Sequence, residues 1–318
     1  MKIEGQVPRI ESATKEEFVK NFVIPSKPVI LAGATRKWKA YSEWTLDRLR
    51  SLIGEKVVRV KDSATGIYPD IFSGMQVGFS ELKFSDYIDL IASNRPERSK
   101  KYLSGDDVRI VSNYSQTDSE LSVLMNDIEL PEYCDGAINT IGFWLSAKGV
   151  VAALHYDGDG SHNLNAQIKG QKRVLLFHPS QSLYPFSGIQ NSNGGHNFSQ
   201  IDITRPDEAR FPAFRSARAL EGVLEEGDML FIPSYWHHAL FHEGDVNINV
   251  NFWWQPNELR LNKASFHATY LTILRSALCG GDPFLDPVKV KSAIEGLSPE
   301  TRRLLQGMEE QIRLQYRL

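Results

Sequence analysis

From about residue 136 to 255 the chain reads as one strand after another with no helical stretch between them: INTIGFWLS, VVAALHYD, NLNAQIKG, KRVLLFH, GVLEEGDMLFIP, HHALFHE and VNINVNFWW. Strand-like runs at this spacing, separated by Gly, Pro and Asp, imply a sandwich or a barrel. One segment, 179–218, is rich in Ser, Asn, Gly and Pro. It is too long for a plain hairpin, and loops of that length are where binding specificity usually resides.

The flanks read differently. Before residue 136 short helices alternate with short strands: Thr14 and Glu17 form a capping box ahead of EEFVKNFV, and Thr117 and Glu120 form another ahead of LSVLMNDI. PVIL (28–31) and KVVRV (56–60) are strand-like, and WTLDRLRSLIG reads as a helix closed by Gly54. After Pro256 the apolar residues return to helical spacing at Phe266, Tyr270, Ile273, Leu274, Ala277 and Leu278. A second tail helix starts at Ser298-Pro299 and carries Leu304, Met308, Ile312 and Tyr316. The expected organisation is therefore 1–135 helix and strand packed on the barrel, 136–256 the barrel, and 257–318 a helical tail.

Composition removes several function classes. With 36 Lys+Arg against 39 Asp+Glu the net charge is −3, so no whole-chain field draws the molecule to nucleic acid or an anionic membrane. Cys134 and Cys279 lie far apart and form no CxxC, which excludes a disulfide framework or a cysteine zinc site. The N-terminal segment MKIEGQVPRIES has no apolar signal core, and no run reaches the roughly 18 apolar residues of a membrane helix. A soluble, cytoplasmic protein without a membrane partner is expected.

The chemistry concentrates at His155-Tyr156-Asp157, at the end of an apolar strand, where residues i and i+2 project to one face. Two histidines and one carboxylate on one face of an octahedral metal leave three positions open, the arrangement of non-haem Fe(II) oxygenases. The remaining ligand is open among Asp159, His162, His237, His238 and His242.

LHYD (154–157), NAQIKGQKRVLLFHPSQSLYPF (165–186), DEARFPAF (207–214), EEGDMLFIPSYWHH (225–238) and INVNFWW (248–254) together resemble the JmjC, or cupin-like, family of Fe(II)/2-oxoglutarate oxygenases. The segments are similar to those of its asparaginyl hydroxylases and its hydroxylases of the tRNA base wybutosine. It implies a mainly β fold, a double-stranded β-helix or jelly roll, with N-terminal α/β elements and a C-terminal helical tail. The family's metal histidine follows the IP pair by five residues from the Pro, which selects His238 and leaves His237 aside. The implied metal set is His155, Asp157 and His238. The implied cosubstrate contacts are Lys172, for the distal carboxylate of 2-oxoglutarate, with Asn251, Tyr102 and Asn163; the last requires two extra residues in GDGSH (158–162). A Thr that the asparaginyl hydroxylases place three residues before the first metal histidine is Ala152 here, so one hydrogen bond is absent or comes from elsewhere.

Asn247, Asn249 and Asn251 alternate with apolar residues and share one strand face, either solvated or a polar pocket wall. Trp144 and Trp253 could meet a substrate, whereas Trp254 is expected in the core. The resemblance implies hydroxylation of a C–H bond with Fe(II), 2-oxoglutarate and O2, giving succinate and CO2. The acidic charge balance favours a protein or peptide substrate over RNA. A non-catalytic cupin-like binding module is the rival reading, and it gives no reason to keep the metal set and Lys172 together. The tail resembles helices that pair two subunits, so a homodimer through the C-terminal helices is expected.

Overall fold

The computed structural model describes residues 1–69, 78–105, 109–111, 121–134, 136–157, 161–179, 181, 189–190, 198–255, 294–303 and 306–307. Asp159, the Thr117–Glu120 box and the tail helices apart from the turn at Ser298 lie outside them. Ten strands frame the molecule: β1 (Lys2–Gln6), β2 (Val29–Leu31), β3 (Ala137–Ala147), β4 (Val151–His155), β5 (His162–Lys169), β6 (Lys172–Phe177), β7 (Arg218–Leu224), β8 (Met229–Ile232), β9 (His237–His242) and β10 (Val246–Gln255).

Two sheets face each other. The first runs β1-β7-β6-β9-β4 and continues through Phe198–Ser199 to Ile189–Gln190, with Ile67–Tyr68 also paired to β4. The second runs Arg9–Ile10, β2, β8, β5, β10, β3, Arg109–Val111. The strands β3 to β10 alternate between the sheets except for the step β6 to β7, the winding of the expected jelly roll. A separate three-stranded sheet, Gly78–Lys83 on Val57–Asp62 on Lys101–Tyr102, leans on the barrel mouth.

The N-terminal strands are built into the barrel sheets. β1 pairs in parallel with β7, and β2 pairs antiparallel with β8. Asp228 fixes this arrangement: its buried carboxylate accepts from Arg9 at 2.7 and 2.8 Å and from the backbone N–H groups of Gly33 and Glu225 at 3.1 and 2.8 Å.

Strand parity sorts the residues. On β10, Ile248, Val250, Phe252 and Trp254 face outward into a large core with Phe18, Trp44, Leu49, Phe84, Tyr87 and Phe143 from the N-terminal elements and β3. On the first sheet, Leu175, Phe177 and Ala239 face outward against Ile201, Ile203, Phe211 and Phe214 of the long connection. Between the sheets, Val174, Leu176, Leu224, Leu230, Ile232, Trp236 and Leu240 form a third apolar cluster, and Leu176 and Val174 sit opposite His238 and Leu240 in the register. Full burial of such side chains contributes about 1.5–3 kcal/mol each. The polar cavity lies beside this cluster and shares Ile232 and Leu240 with it.

Several local readings change. The helix over EEFVKNFV is α only at Lys15–Phe18 and continues as a π-helix over Val19–Val23. LSVLMNDI forms a 3-10 helix over Ser122–Asp127. Gly54 ends the helix Leu46–Ile53 in a right-handed rather than left-handed conformation, and a Cβ there would lie 2.4 Å from the Arg50 carbonyl oxygen. Close packing, not turn geometry, therefore requires that glycine. No helix of the described residues is long and apolar enough to cross a membrane.

Candidate active site

β4 ends at His155, and its last residue pairs with His238 on β9 and with Phe198 on the other side. Chain pairing stops there, yet Asp157 two residues on returns its carboxylate to the same point. Ligand atoms of His155, Asp157 and His238 all lie within 4.8 Å of one another. The two Nε2 atoms stand 3.9 and 4.0 Å from Asp157 Oδ1.

Each group is held with one ligand atom turned toward the others. His155 Nδ1–H donates to the Ala153 carbonyl at 2.6 Å and His238 Nδ1–H to the Trp236 carbonyl at 2.9 Å. A carbonyl only accepts, so both protons sit on Nδ1 and both Nε2 atoms are left as donors of electron pairs to a metal. Asp157 Oδ2 accepts from Asn163 Nδ2 at 2.9 Å and from Trp253 Nε1 at 3.0 Å, which leaves Oδ1 for a metal. Such hydrogen bonds orient ligands and raise their basicity. The His155 ring is stacked on Phe198, with centroids 5.0 Å apart.

The other histidines are placed elsewhere. Adjacent strand residues face opposite ways, so His237 turns outward onto Tyr156, where burial, followed by the nearby His238 and His155, lowers its pKa to about 3. His162 Nδ1 accepts from the Ser234 N–H at 3.1 Å, and its ring packs on Phe231 and Trp254 in the core. His242 shares the inward face of His238 but lies deeper in the barrel, opposite Lys172.

One cavity holds the triad together with Lys172, Asn251, Tyr102 and Asn163, and encloses about 620 Å³ of empty space including its open mouth. Lys172 is 1% exposed, and Asn249 Oδ1 accepts its ammonium hydrogen bond. Burial pushes this lysine well below the usual range, and among the described residues no carboxylate pairs with it. Asn249 Nδ2 in turn donates to Asn251 Oδ1 at 2.7 Å. Among the described residues, Asn163 Oδ1 and Asn165 Oδ1 are buried without a hydrogen-bond partner. A buried cation and open acceptors beside a ligand triad are costly unless a polar ligand completes them. The residues therefore fit both an Fe(II)-type metal and an anionic chelator.

Gly170 shapes this floor. It takes φ +78° in the β5–β6 turn, and a Cβ there would meet the Val246 carbonyl oxygen at 2.2 Å. Only glycine allows the turn that delivers Lys172 into the barrel. Trp144 lines the cavity beside Trp253, with centroids 5.2 Å apart, whereas Trp254 is fully buried in the outer core. Ala152 lines the wall with a methyl group only. Of Asn247, Asn249 and Asn251, which the sequence left open between a solvated face and a pocket wall, Asn249 and Asn251 line the cavity. Sequence reasoning did not place Asn165, Ser146 or Lys61. Asn165 was legible by strand parity from Asn163; Lys61, whose Nζ donates to Ser104 Oγ at 3.0 Å, comes from the separate sheet.

Residues 14–259 match a family described as a cupin-like domain. The chain is 32% identical over 259 residues to lysine-specific demethylase 8 of Danio rerio, covering 78% of this chain and 58% of the relative. It is 28% identical over 247 residues to lysine-specific demethylase JMJ30 of Arabidopsis thaliana, covering 75% and 52%. It is 30% identical over 263 residues to tRNA wybutosine-synthesizing protein 5 of Homo sapiens, covering 79% of both chains. The chain thus spans a little over half the length of the demethylase-named relatives.

Proposed function

Because the chain belongs to the cupin-like, JmjC-type family of Fe(II)/2-oxoglutarate oxygenases, we propose that it hydroxylates a C–H bond on a protein side chain, coupled to conversion of 2-oxoglutarate and O2 to succinate and CO2. The observation that carries this reading is the single cavity in which His155, Asp157 and His238 converge while a fully buried lysine faces the same space.

Bound iron would supply oxygen activation and chelation of the 2-oxo acid. The protein's part is positional. His155 and His238 present Nε2, Asp157 presents Oδ1, and the Trp253–Asn163 pair keeps the second carboxylate oxygen occupied. Lys172 receives the distal carboxylate, and Asn251, Asn163 and Tyr102 line the path between. Trp144, Trp253 and Phe198 wall the site and restrict water. The balance is one O2 divided between succinate and the new hydroxyl, with CO2 leaving from the 2-oxo acid.

A net charge of −3 supports a protein substrate rather than RNA. The test is succinate release with Fe(II) and 2-oxoglutarate, stimulated separately by peptide and by tRNA fractions. Stimulation by peptide alone supports the reading; stimulation by tRNA alone moves the substrate to RNA; no release in any fraction, with iron loaded, ends the oxygenase reading. We further propose a cytoplasmic homodimer joined through residues 257–318, supported by the apolar stripes of that segment. Light scattering of the full chain and of a 296–318 deletion tests it, a monomeric full chain being the refuting result.

A further inference from the structure

The reading above leaves one buried group of the cavity without a task. His242 is 3% exposed and lies on β9 directly across from Lys172 on β6. Residues directly opposite on neighbouring antiparallel strands point to the same face, with Cβ atoms about 4.5–5.5 Å apart. Both side chains line the cavity floor. Ser146 Oγ is hydrogen-bonded to His242 Nδ1, and Tyr102 meets the ring edge to face at 5.4 Å. The ring is therefore fixed in orientation, and its remaining nitrogen, Nε2, is the one left for the cavity. One row nearer the metal, the wall offers only Ala152 and Leu240, which cannot donate.

We infer that His242 is a second anion-binding residue, donating from Nε2–H to the same distal carboxylate that Lys172 receives, so that the floor selects a dicarboxylate over a monocarboxylate 2-oxo acid. The inference rests on the oxygenase reading for the identity of the anion. It also accounts for two basic side chains being buried side by side. Burial holds both below their usual pKa ranges, and for His242 the adjacent Lys172 adds to the lowering. A carboxylate arriving between them reverses that and draws a proton into the site. The titratable groups facing the pair are Tyr102 from the separate sheet and, further along the cavity, Tyr68, Lys61, His155, Asp157 and His238; the Tyr68 hydroxyl donates to the Ser99 carbonyl at 3.0 Å. Among the described lining residues Asp157 is the only carboxylate, and its Oδ2 is bonded to Asn163 and Trp253.

The experiment is calorimetric titration of the full chain, loaded with Mn(II), with 2-oxoglutarate and with 2-oxovalerate, which has the same chain length and a methyl in place of the distal carboxylate. In the wild type 2-oxoglutarate should bind much the tighter, with an enthalpy that varies with buffer ionisation because protons are taken up, and with an affinity that falls as pH rises. His242→Phe should weaken 2-oxoglutarate by roughly tenfold or more, the loss of one hydrogen bond to a charged group. It should leave 2-oxovalerate unchanged and reduce proton uptake. His242→Gln, which keeps a polar side chain in place, should retain part of the preference and covers the case in which the Phe variant misfolds. Equal weakening of both acids would assign His242 a purely structural role, and unchanged 2-oxoglutarate affinity in both variants would overturn the inference. A wild type that does not distinguish the two acids would instead refute the cosubstrate reading itself.

Discussion

Trp253→Phe isolates one atom of the site. The indole Nε1–H donates to Asp157 Oδ2 at 3.0 Å, and the substitution removes that donor while keeping an aromatic ring against Trp144. Among the described residues Asp157 Oδ2 accepts from Trp253 and Asn163, so the carboxylate loses one donor and keeps the other. A hydrogen bond to a charged group is worth about 1.5–3 kcal/mol. At about 1.4 kcal/mol per tenfold, the metal Kd should rise roughly 10- to 100-fold, the range found when a group supporting a metal ligand is removed. Because Asn163 still orients the carboxylate, the lower end is expected. The assay is Mn(II) titration followed calorimetrically, with thermal unfolding as the control for packing. Asn163→Ala should act in the same direction. A folded Trp253→Phe variant whose Mn(II) Kd stays within about twofold of wild type would show that the Asp157 orientation is set by the backbone rather than by these donors.

Three further outcomes are expected. His238→Ala should abolish metal binding while His237→Ala keeps it, since only the former points into the triad; the reverse result in a metal titration would mean the β9 face is misassigned. His178, packed on Trp236, has its pKa lowered from 6.5 to about 4 by burial, so the folded state favours the neutral ring. Its contribution to stability is full above 6.5 and is lost as pH falls towards 4, by at most about 3 kcal/mol; urea unfolding of His178→Phe should show a flatter dependence in that window. Gly170→Ala should destabilise by at least about 1–2 kcal/mol from the positive φ alone, and should also weaken 2-oxoglutarate binding by moving Lys172; an unchanged Tm would contradict the turn geometry.

The site was legible in proportion to how much of it is local. His155 and Lys172 are strand-terminal residues, and their place in the motifs is visible in the sequence. Parity separates His237 and His238 only as opposite faces, and it is the family spacing from Pro233 that points to His238; the inward face follows from β9 lying between β4 and β6. His242 has the same parity as His238, so sequence alone could offer it as a metal ligand. The register that seats it opposite Lys172 removes it from the triad. Tyr102 arrives on a strand of another sheet, and β1 joins β7 across more than 200 residues, pairings that no local pattern encodes. Asp157 stands beyond the last paired residue of its strand, so the period-two argument that grouped it with His155 reached the right neighbour through a turn rather than a pleat.

The same parity explains how the barrel carries a polar site without giving up its core. On β10 the odd positions Asn249, Asn251 and Trp253 line the cavity, while the even positions Ile248, Val250, Phe252 and Trp254 belong to the outer core. On β9, His238 and His242 face in and His237 and Ala239 face out. Each of these strands thus holds ligand-binding chemistry on one face and apolar burial on the other, and the inner apolar cluster of Val174, Leu176, Leu230 and Leu240 packs beside the cavity. Truncating a buried large side chain costs about 2–5 kcal/mol through transfer and cavity terms. Inward polar residues already lack some partners, as Asn163 Oδ1 and Asn165 Oδ1 do, so replacing them changes binding more than folding. The two properties therefore separate by one residue along the same strand, and a single-position shift of register would exchange them.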